Sequence, residues 1–163
     1  AVEHLIQTGC KRILYFSSSM NLEVAHRRYQ GWRDALQKHG LWHSTDDIII
    51  ADTRELAIEE LPKLMNTDRH PDAIFCVNDH CASGVLYAAQ TMGLKVPEDL
   101  SICGFSDAPL ARITTPMLTT VEQHGTEIGT RAMQALLRKL NGDTRTPHTE
   151  IVPTNLIIRG TSK

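Results

Sequence analysis

Three short apolar runs, each closed by a polar pair, constrain this chain more than any other feature. Ala73–Val77 ends in Asn78-Asp79, Leu100–Phe105 ends in Ser106-Asp107, and Leu118–Val121 ends in Glu122-Gln123. Apolar runs of this length, bounded by turn signals and separated by helical patterns, read as buried parallel strands. In an open parallel sheet the ligand lies just beyond the carboxyl ends of the strands. Asn, Asp and Gln at those ends, with no nucleophile among them, point to recognition of a polar molecule rather than chemistry on it.

The same alternation runs through the rest of the chain. A helix over residues 1–8, stopped by Gly9, leads into a strand at Ile13–Phe16. A helix from about Val24 to His39 carries Ala25, Tyr29, Trp32 and Leu36 on one face and closes at Gly40. Ile48–Ile50 reads as a strand and Leu56–Met65 as a helix, with Pro62 expected to kink or split it. Asn78 or Asp79 caps a helix running to Met92. A long amphipathic helix follows from Thr126 to Leu140, and the tail holds two β-like runs, Thr149–Val152 and Asn155–Ile158. Strands alternating with helices in this way predict right-handed βαβ units and an α/β fold, a parallel sheet with helices on both faces.

Charge and composition remove several function classes. Charged residues are 22% and the net charge is −2, so this segment presents no basic field for nucleic acid. No apolar run approaches the roughly 20 residues of a membrane span. The start, Ala1-Val2-Glu3-His4, lacks the basic and apolar regions of a signal peptide, and the chain opens on a helix that an earlier strand is expected to feed. Cys10, Cys76, Cys81 and Cys103 have no C-x-x-C spacing, which fits a reduced, cytoplasmic compartment. His39 and His43 are separated by the helix-breaking Gly40, Glu59 and Glu60 point in different directions on a helix, and no hydrolase or phosphate-loop motif occurs. No enzyme, metal site or cofactor is expected.

Five elements, in order, carry a family resemblance: Arg28-x-x-Gly31-Trp32-x-x-Ala35-Leu36; Ala73-Ile74-Phe75-Cys76-x-Asn78-Asp79; Gly93-Leu94-x-Val96-Pro97-x-Asp99-Leu100-Ser101-Ile102-x-Gly104-Phe105; Pro116-x-Leu118-Thr119-Thr120-Val121-x-Gln123; and Arg159-x-Thr161. With these the chain resembles the sensor portion of LacI/GalR-type bacterial transcription regulators, whose fold is that of type I periplasmic sugar-binding proteins. The resemblance implies the second of two similar subdomains, with a small effector, a sugar or sugar acid, held between them. Residues 1–121 and 143–163 then form this C-terminal subdomain, while the crossover and helix at 122–142 belong to the other one, most of which lies outside this chain. It also implies operator DNA as a partner, read by a head domain absent from these residues, and ligand-biased hinge closure. A homodimer is implied too, pairing through the helix His80–Met92 and the loop Ala108–Pro116, with Cys81, Val85 and Leu110 as apolar candidates. A periplasmic-type sugar-binding protein of transport or chemotaxis is the alternative within the same fold.

The resemblance also selects effector contacts. Arg28 would ordinarily be a solvated helix arginine, but its motif position matches the arginine that reaches the family's effector cleft, where a guanidinium suits hydroxyls or a carboxylate. Asn78 and Asp79 can cap a helix and still face a ligand. Many relatives carry an acidic contact where this chain has Ser106; either Ser106 makes a weaker contact or the acid one residue on, Asp107, serves, and Asp107 is favoured. Gln123, on the crossover, points toward the hinge. Leu22 and Val24 make one wall more apolar than in several relatives. No stacking aromatic occurs near Asp52-Thr53-Arg54, and an inward Arg54 would favour an acidic sugar or phosphorylated metabolite. Trp32, Phe75 and Phe105 read as core.

Overall fold

The computed structural model describes residues 1–67, 70–146 and 148–163. Its centre is a four-stranded parallel sheet in the order β2-β1-β3-β4, made of β1 (Ile13–Ser17), β2 (Ile48–Ile50), β3 (Ala73–Cys76) and β4 (Ser101–Cys103). The two middle strands, β1 and β3, are buried along their whole length, as unbroken apolar runs require when both sheet faces are covered.

Side chains alternate between the faces with the two-residue period of a strand. Phe16, Ile74, Cys76 and Ile102 meet α3 (Arg54–Met65) and α4 (Asp79–Thr91) through Ala57, Leu61, Ala82, Val85 and Ala89. Ile13, Tyr15, Ala73 and Phe75 meet α1 (Val2–Gln7) and α2 (Glu23–Lys38) through Leu5, Trp32 and Leu36. Tyr15 stacks on Phe75 with ring centroids 5.5 Å apart, and the Trp32 indole N–H donates to the Ile13 carbonyl at 3.1 Å. Helices thus cover both faces, as the alternation predicts.

Three local expectations change. The helix α3 runs unbroken through Pro62. Proline at that position forfeits one hydrogen bond in the final turn, and the fully buried Leu61 beside it holds the turn against the core. α3 and α4 lie so close that a Cβ on Gly84 would overlap the Arg54 carbonyl. Thr149–Val152 forms no strand and Ile151 is exposed, because no neighbouring strand offers it a ladder. Cys81 and Val85, expected on a dimer surface, are fully buried: they lie on the side of α4 that faces α3 and the sheet.

The chain leaves the sheet at Thr119, which makes one parallel bridge to Cys103 of β4, and continues as β5 (Thr120–Glu122), paired antiparallel with β6 (Asn155–Ile157). The terminal Arg159-x-Thr161 stitches this exit shut. The Thr161 hydroxyl donates to the Ile102 carbonyl and accepts from the Thr119 N–H, both at 2.8 Å. Between the two crossing strands lies α5 (Gly125–Leu140), which has no buried residue. Its apolar side, with Ile128, Ala132, Ala135 and Leu136, borders a groove of about 710 Å³ that is also lined by the returning tail, Ile151 and Val152 included.

Candidate functional site

At the carboxyl ends of β3 and β4 the chain turns sharply, and α2 passes over the same corner. A cleft of about 980 Å³ opens there, lined by Val24, Arg28, Phe75, Phe105, Val121 and Gln123 among others, with Ile128 of α5 on its far side. Of the five residues selected from sequence, Arg28 and Gln123 line this cleft; Asn78, Asp79 and Asp107 do not.

Arg28 is half-buried on α2. Its guanidinium sits 3.8 Å from the centroid of the Phe105 ring, and Nη1 donates to the Val77 carbonyl at 2.6 Å. A cation over an aromatic face is held by the ring quadrupole, and the carbonyl fixes its rotation. Burial pulls its pKa below the usual arginine value, with the fields of Tyr15 and Asp79 opposing. Phe105, read as core from sequence, is only partly buried and is the platform for this arginine. An aromatic residue ending an apolar run gives no sign of which side it will serve; the helix arginine it pairs with is 77 positions away (105 minus 28).

Gln123 donates to the Ser106 hydroxyl at 3.2 Å, joining the crossover to the end of β4. Ser106 and Asp107 both have positive φ, 112° and 48°, a conformation that costs non-glycine residues of order 1–3 kcal/mol. That turn is held from three sides. Ser106 N–H donates to the Val121 carbonyl at 2.7 Å, and the Asp107 carboxylate accepts from Arg159 at 2.7 Å and from Arg112 at 2.5 Å. Burial pushes the Asp107 pKa up, but the hydrogen bonds from Arg112 and Arg159 outweigh it and hold the carboxyl below its ordinary value. Its side chain is 2% exposed and turned into this clamp.

Asp79 is likewise turned inward. It is 1% exposed; one carboxylate oxygen accepts from the Thr120 hydroxyl at 2.6 Å, the other from the Ala108 N–H at 2.7 Å. Burial raises its pKa despite those bonds. A side chain on Gly104 would collide with this carboxylate, so glycine there lets the end of β4 approach α4. Asn78 spends both ends of its amide as well: Oδ1 accepts from the Cys81 N–H and caps α4, and Nδ2 donates to the Asp52 carbonyl. Arg54 faces away from the cleft, its guanidinium 4.9 Å from the Tyr87 ring on α4.

Among the described residues no group of His, Cys, Asp and Glu is arranged to hold a metal ion, and no helix is long and apolar enough to cross a membrane. The four cysteines are buried and free, and burial pushes the Cys103 thiol up to about 12.

Residues 2–162 match the family described as "Periplasmic binding protein-like domain". The chain belongs to that family. Within it, the domain is 36% identical to the HTH-type transcriptional repressor CytR of Escherichia coli K12 over all of its own length and 48% of that protein. It is 37% identical to catabolite control protein A of Priestia megaterium over 88% of this chain and 44% of that one. Among solved structures, the complex of the transcriptional regulator CelR with cellobiose superposes with a TM-score of 0.93 at 26% identity, covering 99% of the domain and 50% of that chain. The domain therefore spans about half the length of the curated relatives it matches. CytR and CelR are both named for transcription regulation, which agrees with the LacI-type resemblance and with the first of the two readings the sequence left open.

Proposed function

We propose that these residues are the C-terminal half of the effector sensor of a LacI-type transcription regulator. The full-length protein would act in the cytoplasm without catalysis, holding a small sugar-like molecule between this subdomain and a second one that precedes it. Operator DNA would be bound by a separate head. The observation that carries this reading is the cleft at the strand ends, where an anchored arginine, Arg28, and a crossover amide, Gln123, face one space.

In this reading Arg28 and Gln123 touch the effector, with Ser106 presented beside Gln123. Asn78, Asp79 and Asp107 act one step back, as positioning groups: Asn78 sets the start of α4, and the two aspartates fix the crossover through Thr120 and Arg159. Effector binding closes the two subdomains about the crossing strands β5 and β6, and the closed state alters how a homodimer presents its heads. The second subdomain covers the apolar side of α5. The dimer forms through the outer side of α4 and the loop after Asp107, where Tyr87, Ile113 and Met117 are exposed.

A thermal-shift screen of the full-length protein against sugars, sugar acids and nucleosides, followed by operator binding with each hit, tests the proposal. A hit that stabilises the protein and shifts its operator affinity supports it. A hit that leaves operator affinity unchanged contradicts it.

A further inference from the structure

Among the described residues, the charged side chains that line the cleft are paired except Arg28. Glu3 is bonded to Lys38, Glu23 to Arg27 and Asp34 to Arg33, each at 2.7 Å. Arg28 has no carboxylate within ion-pair distance among the described residues. The two strand-end carboxylates that could have balanced it are committed elsewhere, Asp79 to Thr120 and Ala108, Asp107 to Arg112 and Arg159. Gln123, a neutral polar side chain that lines the cleft with it, donates to the Ser106 hydroxyl.

A guanidinium carries five N–H donors and no acceptor. One of Arg28's is used by the Val77 carbonyl, and its lower face is covered by Phe105. The half-buried guanidinium lines the cleft, and its other donors have no hydrogen-bond partner among the described residues. Neutral hydroxyls both donate and accept, so a neutral sugar is best served by an arginine next to a carboxylate. A fork of donors with no carboxylate in ion-pair contact is matched instead by a group that only accepts, and charge-assisted bidentate bonds of that kind are about twice as strong as neutral ones.

We infer that the effector carries an anionic group, a carboxylate or a phosphate monoester, and that Arg28 binds it. This rests on the cleft being the effector site, as proposed above.

The test uses the full-length protein, calorimetry at fixed ionic strength, and matched ligands on glucose, galactose and ribose skeletons: the neutral sugar, its aldonic acid and its phosphate ester. On at least one skeleton an anionic form is expected to bind at least about tenfold more tightly than the neutral one. Whether acid or ester wins separates the two sources of charge. The preference should fall to within about threefold in Arg28→Ala, with Arg28→Gln as the better-packed alternative if the alanine variant misfolds. Ser106→Asp, which adds a carboxylate next to the cleft-lining Gln123, should reduce it as well. A neutral sugar that binds as tightly as both its anionic forms overturns the inference and leaves the effector reading standing. So does an anionic preference that survives in folded Arg28 variants. Arg28-dependent binding of an anion with no effect on operator affinity keeps the inference and removes the regulator reading. No binding by any of the nine ligands overturns the inference and leaves the effector reading to the wider screen.

Discussion

Replacing Asp79 by alanine should damage the fold rather than the recognition of a ligand. Its carboxylate is the acceptor for two donors inside the structure, the Thr120 hydroxyl and the Ala108 N–H. Hydrogen bonds to a charged acceptor contribute about 1.5–3 kcal/mol each, so the gross loss is about 3–6 kcal/mol. Part of this is returned, because burial disfavours the ionised carboxylate, as its raised pKa records. A net destabilisation of about 2–4 kcal/mol remains, a large share of the roughly 5–15 kcal/mol that holds a typical domain together. Asp79→Asn keeps an acceptor and the same volume beside Gly104 while removing the charge, and should lie within about 1 kcal/mol of wild type. The pH dependence has a definite sign. A group whose pKa is raised on folding stabilises the native state most when protonated, so wild type should lose stability relative to Asp79→Asn as pH rises through the folded pKa of Asp79. Urea unfolding of the full-length proteins across pH 3–7, about the carboxylate range, reads both effects. The reasoning is refuted if Asp79→Ala unfolds within about 1 kcal/mol of wild type while its effector affinity collapses, since Asp79 would then be the ligand contact that its sequence position suggested.

The other predictions follow the same geometry. Arg28→Ala in the full-length protein should cost about 1.5–3 kcal/mol of effector affinity by calorimetry with little change in urea midpoint; unchanged affinity would remove Arg28 from the site. Asp107, whose pKa is lowered, contributes stability that is present above its ordinary 3.8 and is lost as pH falls through the folded value, so the stability gap between wild type and Asp107→Asn should narrow in acid. Gly84→Ala should destabilise by about 1–3 kcal/mol, because its Cβ meets the Arg54 backbone rather than a side chain that can move; a neutral result would mean α3 and α4 pack less closely than described. Ile113→Asp, on an isoleucine 81% exposed, should shift the full-length protein toward monomer by ultracentrifugation, and an unchanged dimer would place the interface elsewhere.

The sheet was readable because its strands are short apolar runs between helical stretches, and that pattern has few other solutions. The stripe of α5 was readable too, as a period of 3.6 with no partner in the sequence. The roles of the polar strand ends were not. Asp79 and Asn78 sit where a ligand contact and a helix cap look alike, and the choice is made by Thr120, Ala108 and Asp52, which only the fold brings near. Asp107 belongs to Arg159, 52 residues away, and that arginine stood in the sequence as a terminal motif with no assigned task. Phe105 illustrates the same limit from the apolar side, since its exposure depends on a helix laid across it. Cys81 and Val85 fall on the inner side of α4 because α3 packs there, and nothing local to α4 announces its neighbour.

The most direct test of the account is operator binding by the full-length protein, measured with and without the effector that calorimetry identifies. The account predicts that saturating effector shifts operator affinity by about 5–150-fold, the usual range of such coupling, and that Arg28→Ala binds the operator as wild type does but no longer responds. An operator affinity that is identical in the free and effector-saturated protein would contradict it.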